Sequence, residues 1–391
     1  MKPSIEDRRW PPWRRALVMA LLLRAAYSLL AAVFALIQPV NGRLLQSNAL
    51  TENLRPPDAS WRYLLFGVWE RFDTLWYLHI AARGYDRADA VVFFPLYPSL
   101  VKIVSLLIPP MAAALLISTV AVFFLFWGLQ ELLLRDDQPD LVSPDLVNPY
   151  LIKPDLVNQC VFLCAAWPAS FIFFAGYPES LLFALIAWCL CMARRDRWWA
   201  AAVLGLAAAL TKAVGVVVVV PLVVVAVRQR NIKALPVLLV PLGLAGFLGY
   251  LHWNGHGALV PAYGQYWRTS AALPWTTLLA SVRDLIHMPN PILVLNLVFL
   301  LSVSVLAAVS RMRVEYLLYS AAAIVVFLCK ETTPPLQSMM RYLLIIFPAF
   351  VGFARLLQGP PLLPRFWLVC ACLFVANVGL LWLFLGWSLV V

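Results

Sequence analysis

Apolar residues in this chain are gathered into long runs separated by short polar stretches, as in 16–38, 111–134 and 366–385. A run of about 20 apolar residues is long enough to cross a bilayer as a helix. The pattern predicts spans at 16–38, 111–134, 158–175, 178–193, 198–212, 213–227, 234–252, 291–309, 314–330, 342–357 and 366–388, about eleven in all. The expected fold is an all-α polytopic membrane protein, with residues 1–391 forming one membrane domain.

The polar positions orient this array. Basic clusters at Arg8/Arg9/Arg14/Arg15, Arg194/Arg195/Arg197, Arg228/Arg230/Lys233 and Arg311/Arg313 lie between the runs. Lys and Arg mark cytoplasmic loops, and eleven spans place all four clusters on one side, with a cytoplasmic N-terminus. The stretch 93–108 tests that count. It is apolar but holds Pro95, Pro98 and Lys102, and it ends at Pro109 and Pro110. Counting it as a crossing would put the arginines outside, so it reads as an interfacial or re-entrant helix, tolerated where protein covers its backbone. Residues 39–110 then form a large external first loop carrying interfacial helices.

A tandem pentad repeat, QPDLV SPDLV NPYLI KPDLV, runs from Gln138 to Val157 inside a cytoplasmic loop expected at 135–158. Its regular prolines disfavour a helix, and it reads as a linker.

Composition agrees with the pattern. The 391 residues are 63% hydrophobic and 13% charged, against about half and a quarter in a globular domain. The net charge of +11 is carried by the interhelical clusters and does not point to nucleic acid. Seven cysteines lie within apolar runs and read as small core residues. The first apolar run is long enough to stay as a transmembrane helix, so no cleavable signal is expected.

Candidate chemistry comes from the few polar residues at span ends on the external side: Asp73, His79, Glu179, Lys212, His252, His256, Glu331 and Arg341. Asp73 shares a helical face with Trp76, Tyr77 and Ile80. It fits either a helix N-terminal acid or a general base at the membrane surface with an aromatic sugar platform. Glu179 follows Pro178 at a helix start, which also suits a dipole acid. Arg341 opens a helix, where the dipole disfavours a cation, so an anionic partner such as a phosphate is expected. His252 and His256 have metal-ligand spacing, but Gly255 and Gly257 argue against a helix and no third ligand is near. There is no P-loop, GxGxxG, HExxH or GxSxG.

Taken in order, RFDTLWYLHIAARGYD, VVFFPLYPSLVKI, WPASFIFFAGYPESLLFALIAWCLCMARRDRWWAAAVLGLAAALTKAVGVVVVVPLV, YGQYWR and QSMMRYLLIIFPAF resemble the PIG-V family of mannosyltransferases, from about Arg71 to Phe350. The resemblance implies a multi-spanning GT-C-type bundle that takes a sugar from a polyprenyl (dolichyl) phosphate on the external or luminal face. The eukaryotic member adds the second mannose of the GPI anchor. The family's first-loop aspartate falls on Asp73, followed by Trp76, Tyr77, Gly84 and Tyr85. Its phenylalanine-proline motif falls on Phe93, Phe94, Pro95, Tyr97 and Pro98, and its tyrosine-glutamate-serine motif on Tyr177, Glu179 and Ser180. Its threonine-arginine motif falls on Thr211 and Lys212, and its late arginine-tyrosine motif on Arg341 and Tyr342. Pro178 interrupts one motif, and Lys212 replaces the usual arginine, keeping charge but losing the guanidinium fork. The pentad repeat is no part of the pattern. The short later loops resemble prokaryotic members in a cell membrane.

The helix-end charges and the resemblance together make Asp73 the expected catalytic base, Arg341 and Lys212 the expected donor-phosphate ligands, and Glu179, Trp76, Tyr77, Tyr97, His79 and Tyr177 the expected sugar or lipid contacts. Glu179 has the alternative of holding Lys212 in place. The implied partners are a polyprenyl-phosphate hexose (mannose, by the resemblance), a glycolipid, glycan or protein acceptor, and membrane lipids. No cofactor is demanded, while a divalent ion shared by Asp73 and Glu179 stays open. The rival readings are a lipid-linked sugar flippase without transfer chemistry and a membrane scaffold.

Overall fold

The computed structural model describes residues 10–42, 45, 50, 54, 58–136, 154–288, 290–358 and 362–388. The pentad repeat up to residue 153 and Arg8/Arg9 lie outside the described residues. The last pentad contributes a helix start: Pro154 opens the Pro154–Ala166 helix, a position where the missing N–H costs nothing.

The described protein is helical apart from one antiparallel ladder, Thr269–Ala271 against Lys330–Thr332. Among the described residues five helices are long and apolar enough to cross a membrane: Pro12–Ile37, Pro110–Arg135, Ile232–Trp253, Pro291–Ala308 and Pro364–Leu385. A sixth results if Met339–Ile345 and Phe347–Leu356, bent by 84°, are counted together. The other expected spans are shorter helices, such as Glu179–Arg194 of 16 residues, Trp198–Thr211 of 14 and Val314–Leu328 of 15. Their apolar runs are cut by tight turns: Ser170–Phe174 interrupts 158–175, and Ala213–Val218 precedes the Val219–Arg228 helix. Between the first two long helices lie Trp61–Leu65, Asp73–Arg83 and Leu96–Val104, none long enough to cross.

Small residues let the helices approach closely, the usual basis of packing where lipid supplies no hydrophobic drive. Gly352 is the extreme case, since a Cβ there would lie 1.8 Å from the Leu306 carbonyl of the Pro291–Ala308 helix. Polar groups inside the bundle act as cross-links. Arg24 donates from Nε to Thr119 Oγ1 at 2.8 Å and from Nη2 to the Leu115 and Phe174 carbonyls. Asn377 Nδ2 lies within hydrogen-bond distance of Tyr27 Oη, Ser170 Oγ and the Trp167 carbonyl, and its Oδ1 accepts from the Phe171 N–H.

The helices have two distinct ends. Glu179–Arg194 starts at Glu179 and rises about 24 Å at 1.5 Å per residue. It finishes at Arg194, beside the Arg195–Glu131 ion pair. Trp198–Thr211 returns from those arginines to Lys212. Arg15 meets Asn158, Gln130 meets the Pro12 carbonyl, and Arg228 meets Glu315. These contacts hold the basic termini together, opposite the end where Glu179 and Lys212 meet.

Candidate active site

Asp73 begins the Asp73–Arg83 helix, which ends at Gly84 with φ +74, a conformation glycine adopts freely. Phe72 before it has φ +46, uncommon for a bulky residue. Phe72 is buried, with its ring 4.6 Å from Trp387 and 5.5 Å from Phe384. The turn leaves the Asp73 N–H donating to Tyr177 Oη at 3.2 Å. Arg341 is delivered in a similar way: Leu336 and Ser338 both have positive φ, and Ser338 precedes the short Met339–Tyr342 helix.

These segments converge on one ion network. Arg341 Nη1 donates to Asp73 Oδ2 at 2.7 Å, and its Nε lies 3.2 Å from Glu179 Oε1. Lys212 Nζ donates to the same Glu179 oxygen at 2.6 Å. Glu179 and the Arg341 side chain are almost fully buried, whereas the Asp73 side chain is 20% exposed. Two buried charges cost much desolvation energy unless paired and hydrogen-bonded, and here each carboxylate meets a guanidinium or an ammonium. Tyr342 sits among the cations. Its hydroxyl is 3.3 Å from Arg341 Nη2 and 3.2 Å from Lys330 Nζ, and Lys212 Nζ lies 4.7 Å from the centre of its ring.

Above the network lies a cavity of ≈ 190 Å³. It is smaller than the roughly 300–1,000 Å³ of pockets that bury drug-sized ligands. Asp73, Tyr77, Lys212, Lys330, Arg341 and Tyr342, with Thr269, Thr332, Gln337 and Ser338, provide its polar lining, and Phe93, Tyr263 and Trp267 are among its aromatic walls. Asp73 is the one carboxylate among the lining residues. Burial raises the Tyr77 phenol pKa well above its ordinary value, and the negative charges of Glu179 and Asp73 raise it further. Tyr77 therefore offers a neutral hydroxyl.

No family model, curated protein or solved structure matches this chain.

Four residues singled out in the sequence, Asp73, Glu179, Lys212 and Arg341, meet here, and Tyr177 adjoins them through the Asp73 N–H. Glu179 does not line the cavity; it lies behind the lining and holds Lys212 and Arg341. The anion facing Arg341 is protein carboxylate. The Arg341 guanidinium reaches both acids, Asp73 and Glu179. Among the described residues no group of three or more His, Cys, Asp or Glu could hold a metal.

The other expected contacts sit outside the lining. Trp76 is buried, stacked on Phe93 at 5.6 Å. Tyr97 is buried, donating to the Ala114 carbonyl and bonded to Ser118 Oγ. His79 pairs with Asp86 at 2.6 Å. Trp76 thus supports the aromatic wall from behind, and Tyr97 fastens Leu96–Val104 to the long helix beside it.

Sequence reasoning missed Lys330, Tyr263 and Trp267 as lining residues. Tyr263 and Trp267 fall in YGQYWR, where the Trp267 indole N–H donates to the Asp89 carbonyl. Nothing in the sequence singled out Lys330, which looked like the polar end of an apolar run.

Proposed function

We propose that the chain is a membrane glycosyltransferase that moves a hexose from a polyprenyl-phosphate donor to an acceptor hydroxyl. The supporting observation is the cavity in which Asp73 is the one lining carboxylate, with Oδ2 fixed by Arg341 and three cations close by. Among the described residues, Asp73 Oδ1 has no hydrogen-bond partner and is available to an acceptor. Three cations, Lys212, Lys330 and Arg341, against two carboxylates, Asp73 and Glu179, leave one net positive charge, suited to a phosphate leaving group.

In the proposed step the acceptor hydroxyl oxygen attacks the anomeric carbon and its proton passes to Asp73. The bond from that carbon to the phosphate oxygen breaks, and its electron pair leaves with the lipid phosphate. Glu179 is tied to two cations and, among the described residues, no second carboxylate lines the cavity. With Asp73 acting as base, the proposed transfer is a single inverting displacement. Preorganised cations stabilise the charge that grows on the phosphate. Phe93, Tyr263 and Trp267 offer apolar faces to the sugar.

The same reading sets the membrane frame. The basic helix ends face the cytoplasm, as the positive-inside rule requires, and the cavity at the opposite end opens externally. The short helices complete crossings together with their adjoining turns. The acceptor is a hydroxyl on a glycolipid, glycan or protein. The donor's lipid tail stays in the bilayer, so its phosphate presents at the surface where the cavity lies.

The test is transfer of labelled mannose from polyprenyl-phosphate mannose to a membrane-lipid extract, in liposomes holding wild type or Asp73→Asn. Labelled product from wild type and not from the variant supports the assignment. Near-wild-type product from a folded variant excludes Asp73 as base. Movement of intact donor across the bilayer without transfer favours a flippase.

A further inference from the structure

The cations of the site differ in how much of their charge is already answered. Arg341 is committed to Asp73 through Nη1 and to Glu179 through Nε. Lys212 is committed to Glu179. Lys330 meets no carboxylate within salt-bridge distance among the described residues. Its ammonium donates to Tyr342 Oη at 3.2 Å and lies 5.1 Å and 5.3 Å from the ring centres of Tyr263 and Tyr342. Aromatic faces attract a cation without neutralising it, so a lysine lining a cavity on such a seat retains a full charge for an incoming anion. Its backbone is fixed as well: Lys330 begins a strand whose register sets it opposite Ala271. The following loop is tied down by Thr332 Oγ1, which donates to the Pro334 carbonyl and accepts from the Gln337 N–H.

We propose that the Lys330 ammonium and the Tyr342 hydroxyl together seat the phosphate of a polyprenyl-phosphate ligand, while Arg341 and Lys212 act chiefly as struts between the two carboxylates. This rests on the glycosyltransferase reading and names a binding residue that neither the motifs nor the charge pattern had indicated. Tyr342 is the hinge of the arrangement. It stacks on Phe327 with ring centres 5.4 Å apart, receives Lys212 at its ring, and turns its hydroxyl toward Lys330 and Arg341 Nη2. A phosphoryl oxygen entering beside that hydroxyl meets the ammonium without displacing any carboxylate. Lysine binds phosphate as a point charge, needing no fork geometry.

The test is binding of farnesyl phosphate and of farnesol to the purified full-length protein in detergent micelles, measured calorimetrically. Wild type is expected to prefer the phosphate. Lys330→Met should cut that preference about tenfold or more, the worth of a charged hydrogen bond, with farnesol binding unchanged. Lys330→Arg should retain most of it. An unchanged preference in Lys330→Met overturns the seat while leaving the donor class intact. Equal weakening of both ligands also overturns it, as a structural effect. No preference in wild type overturns both the seat and the donor reading. Should Lys330→Met lose its cooperative thermal transition, Tyr342→Phe decides. Removal of one hydroxyl should lower the preference roughly two- to tenfold, and no change refutes the proposal.

Discussion

The Asp73–Arg341–Glu179 network makes a quantitative demand on stability. Replacing Arg341 by Met keeps the apolar stem but removes the guanidinium that reaches Asp73 at 2.7 Å and Glu179 at 3.2 Å. Removing one partner of a buried ion pair costs about 3–5 kcal/mol, because the abandoned charge stays buried. The lower end applies here: Glu179 keeps Lys212 at 2.6 Å, and the Asp73 side chain is 20% exposed and can draw solvent. Arg341→Met should therefore cost about 3 kcal/mol. Asp73→Asn removes only the partly exposed arm, worth about 1.5–3 kcal/mol as a hydrogen bond between charged groups. The double variant should cost less than the sum of the two. Equilibrium unfolding in mixed micelles on the four-member cycle measures the difference. A coupling below about 0.5 kcal/mol, the scatter for independent sites, would refute the claim that Arg341 holds Asp73.

Three further changes have definite outcomes. Asp73→Asn should lower turnover about 10²- to 10⁴-fold, the usual worth of a general base, with farnesyl phosphate binding retained in parallel calorimetry. Gly352→Ala should destabilise by about 1–3 kcal/mol or more, seen as a lower unfolding midpoint, because its Cβ would meet the Leu306 carbonyl. Asn377→Leu should cost about 1–3 kcal/mol in the same unfolding assay. It strands the Phe171 N–H in a buried setting, while the Trp167 carbonyl keeps the Ser170 N–H.

The membrane class was legible because a long apolar run has few alternatives. The convergence of Asp73, Glu179, Lys212 and Arg341 was legible because charges are scarce and stand at run ends. The helix lengths were less so. A run such as 158–175 reads as one span, yet its chain leaves the helix at Ala166 and turns through Ser170–Phe174, with Ala169 at φ +71. Such a break is set by packing and by Asn377, far away in sequence, which accepts from the Phe171 N–H. Lys330 was hidden for a similar reason. A three-residue strand has almost no pattern of its own, and its partner at Thr269–Ala271 is found only through the fold. Trp76 and Tyr97 were drawn toward the site by their neighbours in sequence, whereas burial turns them into its support.

The central claim, that a sugar leaves a lipid phosphate here, is tested most directly by a single-turnover experiment on reconstituted wild-type protein. Doubly labelled polyprenyl-phosphate mannose would be supplied with acceptor, and the labels of the sugar and the lipid followed separately. The account predicts that free polyprenyl phosphate and new glycoside rise together in equal amounts, and that both are lost in Asp73→Asn. Sugar and lipid labels that stay joined while moving across the bilayer would contradict it.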